Sequence, residues 1–301
     1  MVGQALASQL GSYVVATTRD RARAVSHAAE TVTWDGESAL PPAALREVDT
    51  VFHLAGEPVV DGRWDTEKKD RILLSRVDST RALVRAFAEL EPAARPRVLV
   101  CASAVGIYGS RGEELLTEQS PPAAGFLVEV CRAWEEEAAG ARDLGVRVVS
   151  LRIGIVLATQ GGALAKMLPL FRLGLGGRLG DGQQWMPWIH IDDIVGLLRF
   201  AAANEHVSGP VNAAAPQAVQ NVTFTQALAE AVHRPALLPA PAFALRIALG
   251  EAAGVVLASQ HVVPARAIDA GYCFVHPTLA GALASLVAPG DARSPLSSAA
   301  L

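Results

Sequence analysis

Lysine is almost missing from this chain. Of 26 basic residues, only Lys68, Lys69 and Lys166 are lysines. Tyrosine is as scarce, at positions 13, 108 and 272, and the residues four places further on are Thr17, Gly112 and His276. No tyrosine therefore has a lysine one helical turn after it. The 3 cysteines (Cys101, Cys131, Cys273) are far apart and odd in number, with no Cys-x-x-Cys or Cys/His spacing. That argues against a zinc centre or a disulfide framework, and no metal is expected; reduced thiols in a cytoplasmic protein fit better. No run of like charge is long enough to be an interaction tail, and a net charge of -4 argues against nucleic acid as the main partner. No apolar stretch reaches about 18 residues without a charge or a helix breaker, so no membrane span is expected. The amino terminus lacks the charged start and apolar stretch of a secretory signal.

What is present is enough apolar material for a large core: 301 residues, 51% hydrophobic. One large domain, or a domain with a smaller lobe, is expected. The first half alternates strand-like runs with helical spacing. Strands are predicted at Tyr13–Thr17, Asp49–Leu54, Arg97–Ser103 and Arg147–Arg152, and helices at Asp78–Glu89 and Gly125–Ala141. Near-continuous apolar strands separated by helices predict a parallel sheet covered on both faces, an α/β fold. In the second half a helix is predicted at Ile194–Ala203. The segment Pro235–Pro241 breaks regular structure, and helical spacing resumes at Ala242–Ala252 and Leu279–Leu286.

Residues 174–193 form the most distinctive stretch. Gly174, Gly176, Gly177, Gly180 and Gly182 fall close together, then Trp185 and Trp188, then the strand-like Trp188-Ile189-His190-Ile191 and the pair Asp192-Asp193. Glycines let a backbone approach a ligand closely, and the stretch reads as a flexible flap over the substrate side that Trp185 and Trp188 anchor to the core; a plain surface loop is the simpler alternative. The chain opens Met1-Val2-Gly3-Gln4-Ala5-Leu6, which looks like the last glycine of a phosphate-binding turn and the start of its helix. The strand and the earlier glycines of such a turn are missing, and they are expected upstream of Met1. Without that strand the sheet would carry a central gap, with unpaired backbone on both sides. Tyr13–Thr17 leads into Thr18 and Arg19. In a doubly wound sheet the end of this strand meets the adenosine ribose, where an arginine suits the 2′-phosphate of NADP. Arg21 and Arg23 strengthen that reading; a solvated helix start is the alternative. His53-Leu54-Ala55-Gly56 ends the next strand in small residues.

The segments 53–59 (HLAGEPV), 63–64 (RW), 75–80 (SRVDST), 103–109 (SAVGIYG), 151–157 (LRIGIVL), 161–177 (GGALAKMLPLFRLGLGG), 188–193 (WIHIDD), 233–241 (HRPALLPAP) and 271–279 (GYCFVHPTL) come in an order that resembles one family. The chain is similar to the atypical, epimerase-like branch of the extended short-chain dehydrogenase/reductases, from Gly3 to about Val287. The resemblance implies a Rossmann-type doubly wound parallel sheet with a small C-terminal substrate lobe. The implied boundaries are 1–157 with 186–204 returning to the sheet, 158–185 and 205–288 as the lobe, and a disordered tail at 289–301. It implies NADP(H) as cofactor, with Thr18 and Arg19 on the 2′-phosphate, Gly3, Leu54, Ala55 and Gly56 lining the cofactor, Arg76 nearby, and Arg152 to Val156 bordering the nicotinamide.

Typical members of that superfamily use a Tyr-x-x-x-Lys pair for proton transfer, the lysine lowering the tyrosine's pKa and a Ser or Thr binding the substrate oxygen. By motif position the pair falls here on Leu127 and Cys131. Ser103 stands where the substrate-binding hydroxyl is expected, and Tyr108 is the one tyrosine near it. Tyr108 is a candidate acid or a packed aromatic. His190 reads as a hydrogen-bonded core residue, Asp192-Asp193 as a helix cap, and Cys131 as inert packing. Arg63-Trp64 offers a cation and a flat apolar face to a polar or anionic small molecule. Three readings stay open: an NADP(H)-dependent oxidoreductase or epimerase with a non-standard acid, a non-catalytic NADP(H)-binding sensor or regulator, and a chain that, as given, holds cofactor poorly.

Overall fold

The computed structural model describes residues 1–11, 13–20 and 25–287. Arg21, Arg23 and the tail from 288 lie outside the described residues. The longest apolar run becomes the central strand. Val98–Ala104 (β4) is buried along nearly its whole length, and its alternate side chains feed two separate cores. It pairs in parallel with Thr50–His53 (β3) on one side and Arg147–Ile153 (β5) on the other; β5 in turn pairs with Gly209–Ala213 (β8). The spatial order is β8-β5-β4-β3. Val15–Thr18 (β1) and Glu30–Thr33 (β2) form a second parallel pair.

Helices cover both faces. Val2–Gln9 (α1) and Ile191–Ala203 (α5) place Leu6, Ile194, Val195 and Leu198 on Val98, Val100, Val149 and Leu151. Thr66–Ala88 (α2) and Phe126–Ala139 (α3) place Leu83, Phe87, Trp134 and Ala138 on Leu99, Cys101 and Val148. A third core lies outside the sheet. There Gly162–Arg172 (α4), Asn221–Ala231 (α6) and Leu279–Val287 bring Leu164, Leu168, Phe171, Phe224, Leu228 and Leu283 onto Leu157 and Trp188. Ile155–Leu157 (β6) and Trp188–His190 (β7) pair in parallel beneath it.

The expected gap is present. Among the described residues, β1 pairs only with β2, and β3 only with β4. Their unpaired edges line one cavity of about 1390 Å³, floored by Gly3, Leu6 and Leu10 of the first helix and its end.

Three expectations need correction, and one strand was not foreseen. Residues 209–213 belong to the main sheet, not to the smaller lobe, because their backbone pairs with β5. The helix predicted from Asp78 starts at Thr66, where Asp65 caps it by accepting the Lys68 N–H at 2.7 Å. Strand β2 went unseen because its residues are mostly exposed and polar. The glycine loop is not a flexible flap. A Cβ on Gly177 would lie 1.9 Å from the Leu238 carbonyl oxygen, and one on Gly176 would enter the Phe171 ring. Backbone bonds from Leu238 to Gly176, Ala240 to Arg178 and Gly180 to Ala240 pin the loop along 238–240. These two glycines permit close backbone packing rather than motion.

Candidate functional site

Ser103 sits near the end of β4, almost fully buried, and its hydroxyl donates to Glu135 Oε1 at 2.6 Å. Glu135 lies on α3, one turn beyond Cys131 and two beyond Leu127. Arg152 reaches across from β5 and grips the same carboxylate with two bonds of 2.9 Å, from Nε to Oε1 and from Nη2 to Oε2. Its third nitrogen, Nη1, donates to the Tyr108 hydroxyl at 2.9 Å, and that hydroxyl donates to Asn212 Oδ1 at 2.7 Å. Asn212, on β8, is held in turn by the Glu118 carboxylate and the Val263 carbonyl. Three strands and one helix thus meet in a buried polar chain running Ser103–Glu135–Arg152–Tyr108–Asn212.

Electrostatics fix the roles inside this chain. Burial alone would lower the Arg152 pKa, but the hydrogen-bonded Glu135 carboxylate outweighs it and raises the net value. Burial raises the Tyr108 pKa, with the Arg152 guanidinium only partly offsetting it. Tyr108 has no exposed surface and its hydroxyl is used on both sides. It therefore packs and relays in this structure rather than facing a ligand. Cys131 is buried and pushed up to about 12 by burial, which fits inert packing. The Arg152 guanidinium, expected beside the nicotinamide, is engaged with the Glu135 carboxylate.

The expected cofactor residues divide into two groups. Gly3, Thr18, Arg19, Leu54 and Ala55 all line the cavity between β1 and β3. Arg19 is exposed at the end of β1. Gly56 and Arg76 meet just beyond it. A Cβ on Gly56 would lie 2.9 Å from the Arg76 guanidinium carbon. Arg76 stacks over the Trp134 ring at 5.1 Å and donates to the Ile72 and Glu57 carbonyls. Desolvation lowers its pKa. Val156 lies on β6, half-buried. The residues present suit an NADP-type cofactor: a cation and a hydroxyl at the end of β1, and the small Ala55 and Gly56 after β3.

The loop after β3 reaches the smaller lobe. Arg63 donates to the Ile247 carbonyl at 3.1 Å, Lys166 pairs with Asp61, and Lys69 pairs with Glu251. Trp64 packs edge-on against Phe126. His190 is fully buried and is itself the cap of α5, its Nδ1 accepting the Asp192 N–H at 3.0 Å. That corrects the expectation that Asp192-Asp193 supplies the cap. Asp193 instead accepts the N–H groups of Val275 and His276.

The model of the NAD dependent epimerase/dehydratase family matches residues 1–214, and a domain of unknown function, DUF1731, matches 240–286. The chain belongs to this epimerase/dehydratase family. It is 39% identical over 285 residues to the epimerase family protein Mb2239 of Mycobacterium bovis, covering 94% of this chain and 93% of that one. The human epimerase family protein SDR39U1, crystallised with NADPH, superposes with a TM-score of 0.85 at 32% identity, over 95% of this chain and 96% of that one. MoeE5, in complex with UDP-glucuronic acid and NAD, shares the fold at a TM-score of 0.76 and 22% identity, over 95% and 94%. The Rossmann-type architecture with a C-terminal lobe is therefore shown. Among the described residues no helix is long and apolar enough to cross a membrane.

Within this family frame the missing Tyr-x-x-x-Lys pair stands out in space as well as in sequence. Leu127 and Cys131 face Gly106, in the turn just beyond the end of the Ser103 strand. Of the buried polar chain, sequence reasoning singled out neither Asn212, which has no local signal, nor Glu135. Its signal was the four-residue spacing Leu127, Cys131, Glu135, which puts all three on one face of α3.

Proposed function

We propose that the chain binds NADP(H) and acts as an oxidoreductase or epimerase of the atypical short-chain dehydrogenase/reductase type, on a polar or anionic small molecule. The observation that carries this reading is the convergence of Gly3, Thr18, Arg19, Leu54 and Ala55 on one cavity, with the arginine following β1. NADPH in the human relative supports it. The cofactor supplies hydride donation or acceptance; the chain's own residues supply positioning. Thr18 and Arg19 hold the 2′-phosphate, and Gly56, kept bare by Arg76, lets the backbone approach. Ser103 points its proton at Glu135, which leaves its oxygen lone pairs to accept a hydrogen bond from a substrate hydroxyl. Arg152 compensates the Glu135 charge and fixes its orientation. A non-catalytic NADP(H) sensor is the second reading. It is favoured by the buried, saturated Tyr108 hydroxyl and by Leu127 and Cys131 in place of an acid pair.

Titration with NADPH, followed by a panel of nucleotide-sugar and carbonyl compounds, separates the two. Turnover that falls at least about a hundredfold in Ser103→Ala, with NADPH affinity unchanged, supports the enzyme. Micromolar NADPH binding without turnover on any compound supports the sensor. Absence of NADPH binding overturns both.

A further inference from the structure

Three side chains from two distant segments converge where α5 begins. His190 accepts the Asp192 N–H on Nδ1, and its Nε2 lies 3.2 Å from Ser285 Oγ. The His276 ring lies on the His190 ring, with centroids 3.7 Å apart. Asp192 Oδ2 is 3.5 Å from His190 Nδ1 and 3.3 Å from His276 Nε2. The fold holds His276 there. Asp193 accepts the N–H groups of Val275 and His276 at 2.7 and 2.9 Å, and the Tyr272 hydroxyl bonds Asp193 as well. One ligand atom from each of His190, Asp192 and His276 lies within 4.8 Å of the others.

We propose that His190, Asp192 and His276 form a binding site for a divalent cation of the zinc class. Zinc bonds of about 2.0–2.1 Å imply ligand-to-ligand edges of roughly 3.3–3.4 Å in a tetrahedron, and the two measured edges, 3.5 and 3.3 Å, bracket that value. Two imidazoles and one carboxylate select zinc or cobalt over magnesium or calcium, which take oxygen donors. The His190 ring is already steered from its far side. With Nδ1 as the ligand atom, Nε2–H donates to Ser285 Oγ, the second hydrogen bond that usually orients a metal-bound histidine. Binding displaces the Asp192 N–H from Nδ1. The positive end of α5 opposes a cation, and Asp192 and Asp193 in its first turn offset that. The Asp192 and His276 side chains are 32% and 15% exposed, which opens an entry path to the buried His190. The ion would tie the segment carrying His276 to the helix that covers the sheet, a structural role separate from the Ser103 network. No spacing in the sequence shows this site, because its ligands come from positions 190, 192 and 276.

The test uses the full chain stripped with EDTA and titrated with CoCl2 and ZnSO4. Co²⁺ should give the visible bands of a four- or five-coordinate ion. Zn²⁺ at a hundredfold excess over Kd should raise Tm by about 4 °C, and MgCl2 should not. Both signals should vanish in His276→Ala, and Asp192→Asn should weaken Zn²⁺ binding at least about tenfold. His206→Ala, at an exposed histidine, should behave like the parent. If His276→Ala does not fold, His276→Gln keeps bulk over His190 and takes its place. No Co²⁺ band and no Zn²⁺ shift in the parent chain overturns the proposal. So does an unchanged response in the His276 variant.

Discussion

The two sides of the sheet are built to different standards. From β3 through β4 and β5 to β8 the backbone pairs without interruption, helices cover both faces, and a buried polar chain links β4, β5 and β8 through α3. From β1 to β2 there are two short strands, half-exposed, facing a cavity of about 1390 Å³ across an unpaired edge. The side that carries the candidate chemistry has its strands paired and the buried polar groups of Ser103, Glu135 and Arg152 bonded to one another. The side that carries Thr18 and Arg19 is the one whose backbone hydrogen bonds are incomplete. The residues expected to hold the cofactor and the residue expected to meet substrate thus sit on differently supported halves of the sheet.

The largest expected effect tests the finished side. Arg152→Met removes the partner of a nearly buried carboxylate and should cost about 4 kcal/mol in denaturant unfolding. A loss under about 1 kcal/mol would show that Glu135 is solvated and that the polar chain does not support this half. Next comes the unfinished side. An extension ahead of Met1 that carries a β-branched run and a glycine-containing turn should fill the slot between β1 and β3. A handful of ladder hydrogen bonds, each worth about 1 kcal/mol net, should raise stability by about 3 kcal/mol and tighten NADPH binding. An unchanged urea midpoint would mean that the slot does not accept a strand.

His53, on β3 beside the gap, sharpens the contrast further. Burial lowers its pKa to about 4 from the ordinary 6.5 of histidine, and it touches Ser79 Oγ at 3.1 Å. Between those values the unfolded chain holds a proton that the folded chain does not. The contribution of His53 to stability should therefore be constant above about pH 6.5 and fall by up to about 3 kcal/mol as pH drops toward 4. His53→Asn should flatten that profile; a parent chain with no slope in this window would place water against His53. The smallest effect concerns Arg19. Arg19→Ser should weaken NADPH about tenfold and leave NADH nearly unchanged, as read by fluorescence titration. Equal losses for both cofactors would remove Arg19 from the 2′-phosphate.

Legibility followed the same divide. The β4 and β5 strands and the α3 and α5 helices were readable because burial on two faces writes long apolar runs, and one-sided burial writes a helical period. Strand β2 was not, since its Glu30, Thr31 and Thr33 are exposed and only pairing with β1 makes it a strand. The first turns of α2 were hidden by a charged stretch whose helix signal is the Asp65 cap. Gly176 and Gly177 looked like mobility; the constraint on them comes from Leu238, about sixty residues away. The candidate site was half legible. Ser103 stood out by motif, but Glu135 is one acid in an acidic helix until β4 and β5 bring Ser103 and Arg152 to it.

By itself the sequence determined the α/β class, the family, the lack of a Tyr-x-x-x-Lys pair and the arginine at the end of β1. All of these depend on residue type, period or order along the chain. Tertiary structure alone decided that Tyr108 is buried, that Arg152 serves Glu135, that His190 rather than an aspartate caps α5, and that His276 stacks on His190. Those outcomes depend on which groups lose their water and which partners they meet, and the partners lie tens of residues apart, beyond the reach of any local pattern.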